Sequence, residues 1–157
     1  MDFLSHLHPE VVHFPIAFFL AYASLEITGI IFKKEFLSKT AHLFLFFGVL
    51  GAVAAVLSGN SAVDAAKQLS KKGVKIAFGA IEDHEDFANF TMWFFTGLLV
   101  FRTFIVLKKK FSGKLKFLFI LLALVGCFLV YHTGELGGKL VYVHGIGTEL
   151  IKGEIRK

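Results

Sequence analysis

Four apolar runs, each long enough to cross a bilayer, constrain this chain more than any other feature. A helical span needs about 20 predominantly apolar residues. Val11–Phe32, Ala41–Ser58, Phe87–Leu107 and Leu115–Thr133 meet or approach that length. Within the first, only His13, Pro15, Glu26 and a few small polar residues interrupt; Arg102 lies near the end of the third. Backbone polar groups in lipid must be satisfied internally, so each run is expected to be a helix. Charged residues make up 18% of the chain, against roughly 25% in a typical soluble domain. The expected fold is therefore all-α, an integral membrane four-helix bundle. Its 157 residues form one domain, with no internal repeat or low-complexity linker evident.

The net charge of +5 does not point to nucleic acid, because the basic residues bracket the apolar runs instead of forming a phosphate-binding face. Lys33, Lys34 and Lys39 follow the first span; Lys108, Lys109, Lys110, Lys114 and Lys116 follow the third. Both loops are short, the regime in which positive loops stay cytoplasmic. This places the N-terminus, the polar stretch Gly59–Asp86 and the C-terminal tail on the outer, periplasmic side of an inner (cytoplasmic) membrane. Within that stretch, Ala62–Leu69 is expected to form a short amphipathic surface helix. The first run has no positive segment before it and no small-residue cleavage site after it, and so reads as a retained span. The single cysteine, Cys127, excludes an internal disulfide, and the lack of CxxCH excludes c-type haem attachment.

This threading gathers six of the seven histidines at the outer face. His6, His8 and His13 stand at the outer end of span one, with His8 a candidate N-cap ahead of Pro9. His84 precedes span three, His132 closes span four and His144 lies just beyond. His42 alone is on the inner side, where interfacial packing suffices to explain it. With a rise of about 1.5 Å per residue, His13, His84 and His132 should lie near one plane. Imidazole ligates iron, copper and zinc. A b-type haem takes axial histidines from facing helices and apolar walls, which 20 phenylalanines can supply. His13 and His84 are the first axial pair. His8 and His144 would serve a second haem, or bind propionates or a quinone, and His132 is a further cofactor-binding candidate. Alternatively, His8, His13, His84 and His144 hold a non-haem copper, zinc or iron ion, with Asp83 or Glu85 adding oxygen. Each histidine also has a plainer explanation as an interfacial or capping residue; Glu82, Asp83, Glu85 and Asp86 around His84 suit a helix N-terminus. The stripe Gly48, Ala52, Ala55 and Gly59 could receive a flat macrocycle, but small residues more often serve close helix packing.

Pro15 is expected to kink span one, and Glu26 to pair with Arg102 at similar depth. The tail Thr133-Gly-Glu-Leu-Gly-Gly-Lys-Leu-Val-Tyr-Val-His144-Gly-Ile-Gly147 is read as a glycine-rich C-terminal cap over the outer mouth of the bundle, presenting Tyr142 and His144.

Several of these stretches carry a family resemblance. His8-Pro9-Glu-Val-Val-His13-Phe-Pro15-Ile-Ala17, Ser58-Gly59, His84 with Asn89, and Thr133-Gly-x-x-Gly137-Gly138-x-Leu140-Val-Tyr142-x-His144-Gly145-x-Gly147 together span nearly the whole chain. On these anchors the chain resembles a bacterial membrane family, domain of unknown function 2231; Thr148 departs from the aliphatic residue usual there. The resemblance implies a four-span membrane domain. It carries over His8, His13, His84 and His144 as site candidates, while His6, His42 and His132 match no motif. Relatives joined to Rieske or c-type cytochrome domains hint at electron transfer.

The expected function is a cytochrome b-like protein holding haem b near the outer face. It would pass electrons between a membrane quinone and a periplasmic cytochrome or Rieske protein. Non-haem metal binding, or a structural or assembly role without cofactor, are the alternatives. No nucleophile–base arrangement, phosphate loop or nucleic-acid motif stands out, so enzyme activity would be at most redox, not hydrolytic. Oligomeric state is left open.

Overall fold

The computed structural model describes residues 3–111 and 113–148. Among the described residues there are five helices: α1 (Phe3–Val11), α2 (His13–Ile31), α3 (Glu35–Lys71), α4 (Phe78–Leu107) and α5 (Lys114–Tyr142). Together α1 and α2 form the first of four segments long and apolar enough to cross a membrane, and α3, α4 and α5 are the others. Each of α2–α5 buries a stripe at helical spacing, as in Phe19, Tyr22, Ala23, Glu26 and Ile30 of α2. The opposite faces are also apolar: Leu43, Phe46, Leu50, Trp93, Leu121 and Phe128 all point outward. Helices that are apolar on every side belong in lipid.

The helices close into a four-membered ring. α2 packs on α3 and α5, and α4 packs on the same two, so α2 and α4 face each other across one diagonal. One end of the bundle carries His8 and His84, the other Glu26, Arg102 and the lysine-rich loops. Along the continuous helix α4, His84 and Arg102 are separated by a rise of about 27 Å, close to the ~30 Å hydrocarbon thickness.

Several segments differ from the sequence reading, and each has a backbone cause. Pro15 lacks the N–H that would bond Val11 and crowds the preceding turn. The helical hydrogen-bond pattern is interrupted at Val12, whose backbone nevertheless stays in the right-handed helical region, and α1 and α2 both pack on α3. Pro9 lies inside α1, so His8 is a helix-interior residue rather than an N-cap. α3 runs without interruption from the second span as far as Lys71, so Ala62–Leu69 is helical as expected but continues the span instead of forming a separate surface helix; at 37 residues α3 is about 55 Å long. Ala66 is buried there. α4 begins at Phe78, nine residues ahead of the expected span. The glycine-rich segment expected to cap the bundle is instead the last turns of α5: Gly134, Gly137 and Gly138 are helical, and Tyr142 is 90% exposed.

The fold also contains an internal correspondence that the sequence reading did not find. Glu26 and Arg102 are 76 residues apart, and the same interval relates His8 to His84 and Phe19 to Phe95. At an interval two residues longer, α3 maps onto α5: Ala41, Leu45, Gly48 and Ala52 correspond to Phe119, Ala123, Gly126 and Val130. All eight are buried. The chain is a two-fold repeat of helix pairs, α1–α2 with α3 and α4 with α5. Both pairs run in the same direction, a parallel repeat about an axis along the bundle.

Candidate functional site: paired histidines at one end of the bundle

The repeat sets His8 and His84 opposite one another. Each ring rests on a glycine of the partner helix in its own half. A Cβ added to Gly59 would lie 3.1 Å from His8 Cε1 and 3.5 Å from Nδ1. A Cβ added to Gly137 would lie 3.0 Å from His84 Cε1 and 3.5 Å from Nδ1. Only hydrogen at these two positions lets an imidazole sit so close to the helix backbone.

His8 is further fixed by polar contacts. Its Nδ1 lies 3.1 Å from the Ala55 carbonyl and 3.0 Å from Ser58 Oγ, whose hydroxyl donates to the same carbonyl at 2.9 Å. A carbonyl can only accept, so Nδ1 carries the proton and Nε2 presents its lone pair. Thr133, the repeat counterpart of Ala55, turns its carbonyl toward His84. His84 Nδ1 is nonetheless buried with no partner in hydrogen-bonding geometry. The two rings are within electrostatic reach of each other. Their helices make no backbone contact there: α1 packs on α3 and α2, and not on α4 or α5. The two imidazoles therefore sit at the same end of the bundle, on segments that make no direct helix–helix contact with each other.

The other candidate histidines are placed differently. His13, one turn from His8 at the start of α2, is exposed, as are His6 and His144. His132 lies on α5 with its ring edge-on to Phe87, centroids 4.4 Å apart, and Nδ1 3.4 Å from Glu135 Oε2. Asp83 is exposed and Glu85 half-buried beside His84. The residue brought to His84 is thus His8, not His13. The seats Gly59, Gly137, Ala55 and Thr133 were not singled out as such. Their signal is a recurrence: His8, Phe14, Phe18 and Phe19 return as His84, Phe90, Phe94 and Phe95, and Gly48 and Gly59 as Gly126 and Gly137.

Below the histidines, Phe19 and Phe95 stack on the repeat axis. The opposite end is closed by a buried polar cluster. Arg102 Nη2 donates to Glu26 Oε2 at 2.7 Å and to the Ser38 carbonyl at 2.7 Å, and Nη1 donates to His42 Nδ1 at 2.8 Å. Glu26 and Arg102 are both almost fully buried. The pairing expected from depth is present. His42, read as interfacial packing, is a member of the cluster: its Nε2 lies 3.3 Å from Thr103 Oγ1, which donates to the Leu99 carbonyl.

Four apolar spans and a histidine pair at one mouth define a helical membrane protein built as two equivalent halves. A family model described as a predicted membrane protein, domain of unknown function 2231, matches residues 5–150, and the chain belongs to that family. No curated protein and no solved structure matches it.

Proposed function

We propose that this chain is a b-type haem protein of the bilayer, with His8 and His84 as the two axial ligands. The observation that carries the reading is the equivalent seating of the two rings at one end of the bundle: each on a glycine, each beside a backbone carbonyl of its partner helix. A bis-imidazole iron needs two neutral rings from facing helices, oriented through Nδ1 so that Nε2 is free. His8 has that tautomer and that orientation. Haem needs only two protein ligands, whereas a zinc, copper or iron ion bound by side chains alone needs three or four. Among the described residues no group of three or more His, Cys, Asp or Glu converges. That supports haem over a non-haem ion held by His8, His13, His84 and His144.

When bound, haem supplies one-electron chemistry. The chain's part is to hold and orient it and to keep its surroundings apolar. In this reading the protein relays electrons between a membrane quinone and a cytochrome or Rieske partner in the compartment at the histidine end. The lysine-rich loops would be cytoplasmic by the charge rule, placing both termini on the periplasmic side of the inner membrane. His13, His132 and His144 stand around the mouth, where propionates would emerge.

The test is a reduced-minus-oxidised spectrum of the protein purified with haem supplied during expression. A Soret band and α-band are expected, and both should be lost in His8→Ala and in His84→Ala while the helical circular dichroism is kept. Absence of both bands from the parent protein, or their persistence in both variants, would overturn the assignment.

A further inference from the structure

At the end remote from the histidines, α3 and α4 leave a cavity of about 810 Å³ that opens sideways, toward lipid. Its walls are graded along the helix axis. Lys39 stands at the rim. Lys108 does not itself line the cavity, but its ammonium lies 5.8 Å from the ring centroid of Phe104, which does. Less than one turn deeper come His42 and Thr103, the only uncharged polar side chains in the lining. Deeper still lie Phe46 and Val100, both exposed to the outside of the bundle.

We infer that this groove is a binding site for one anionic phospholipid. The gradient has the order of the lipid itself: cations for the phosphate, one neutral donor, the His42 Nε2–H, for a glycerol ester carbonyl, and an apolar trough for an acyl chain. The rises involved are about 4.5 Å from Lys39 to His42 and about 10 Å from Lys39 to Phe46, the scale of headgroup to upper chain. His42 accepts from Arg102 through Nδ1, so its Nε2–H is a donor. It now meets Thr103 Oγ1 at 3.3 Å, a long bond that a lipid carbonyl can replace or share. Lys39 also pairs with Glu35 at 3.0 Å, but both side chains are largely exposed. Such a pair is weak, and an ammonium has further donors to offer.

A neutral conjugated dione such as a quinone would use the same trough but would leave both lysines idle; the charge at the rim favours the lipid. A bound lipid would touch the Glu26–Arg102 pair through His42, so its occupancy should be felt as bundle stability.

The experiment is native mass spectrometry of the full chain in detergent with phosphatidylglycerol and phosphatidylcholine competing, together with thermal unfolding in each lipid. At about 1 kcal/mol per basic residue, two lysines give a preference of roughly thirtyfold for phosphatidylglycerol. One retained copy per chain and a higher midpoint are expected. Lys39→Gln with Lys108→Gln should bring the preference close to unity. Val100→Trp, which fills the trough and leaves the lysines, should abolish the retained copy, whereas Lys33→Gln with Lys114→Gln should preserve it. Equal retention of the two lipids, an unchanged preference in the Lys39/Lys108 variant, or stabilisation by a short-chain quinone but not by phosphatidylglycerol would overturn the site.

Discussion

Phe19 and Phe95 lie face to face across the middle of the bundle, their centroids 3.6 Å apart and their planes 5° from parallel. They occupy the same position in the two halves of the chain. Gly48 and Gly126, which also correspond, make the arrangement possible by leaving room behind each ring. One end of this axis holds the histidines, the other the buried ion pair.

Gly48→Ala and Gly126→Ala should each destabilise the protein by about 1–3 kcal/mol through overpacking. The added Cβ would lie 2.5 Å from Phe19 in the first case and 2.6 Å from Phe95 in the second. Neither ring has anywhere to go, because each is stacked on the other. The gain of up to about 1 kcal/mol in helix propensity does not compensate. Gly97 is the internal comparison: nothing lies within 4 Å of its added Cβ, so Gly97→Ala should be neutral or stabilising. Thermal unfolding in one detergent ranks the three.

Removing one partner of the Glu26–Arg102 pair should cost more than removing both. Arg102→Met leaves a carboxylate, and Glu26→Met a guanidinium, buried without its counter-charge, each worth about 3–5 kcal/mol. The double variant avoids that penalty. A double-mutant cycle by denaturant unfolding should therefore show strong non-additivity; simple addition of the two single losses would refute direct coupling.

The four spans predict a labelling pattern that does not depend on which compartment is which. Cysteines at Asp64 and Gly145 should react with an impermeant maleimide from one face of the membrane, and a cysteine at Lys110 from the other. Asp64 lies beyond the expected span, in the part of α3 that continues past the histidine end. Reactivity of positions 64 and 145 from opposite faces would break the bundle topology.

Gly59→Ala should disturb His8, and Gly137→Ala should disturb His84, to similar degrees. The new methyl would stand 3.1 Å and 3.0 Å from the respective rings, close enough to tilt an imidazole without unfolding a helix. Nitrogen-15 histidine NMR should show the His8 resonances moving in the first variant and those of His84 in the second. If haem is bound, its visible bands should shift in both.

The spans, their helical state and the Glu26–Arg102 pairing were legible in the sequence, because apolar length and the cost of a charge in lipid leave few options. The helix ends were not. Apolarity stops where lipid stops, but hydrogen bonding does not, so α3 passes through Asn60–Lys71 and α5 through Gly134–Tyr142. Depth alone points to His13 as the companion of His84. His13 is nearer the apolar run but exposed, whereas His8 packs on Gly59 and bonds the Ala55 carbonyl. The repeat was hidden because its matches are thinly spread: a histidine, three phenylalanines and two glycines, with Glu26 answered by Arg102 and Ala41 by Phe119.

The replacement of Glu26 by Arg102 between the two halves has a consequence for assembly. Two copies of the first half, put together as the two halves are here, would press carboxylate against carboxylate; two copies of the second would oppose guanidinium to guanidinium. Only unlike halves can mate, so the fused polypeptide carries within it the means to refuse its own duplicates.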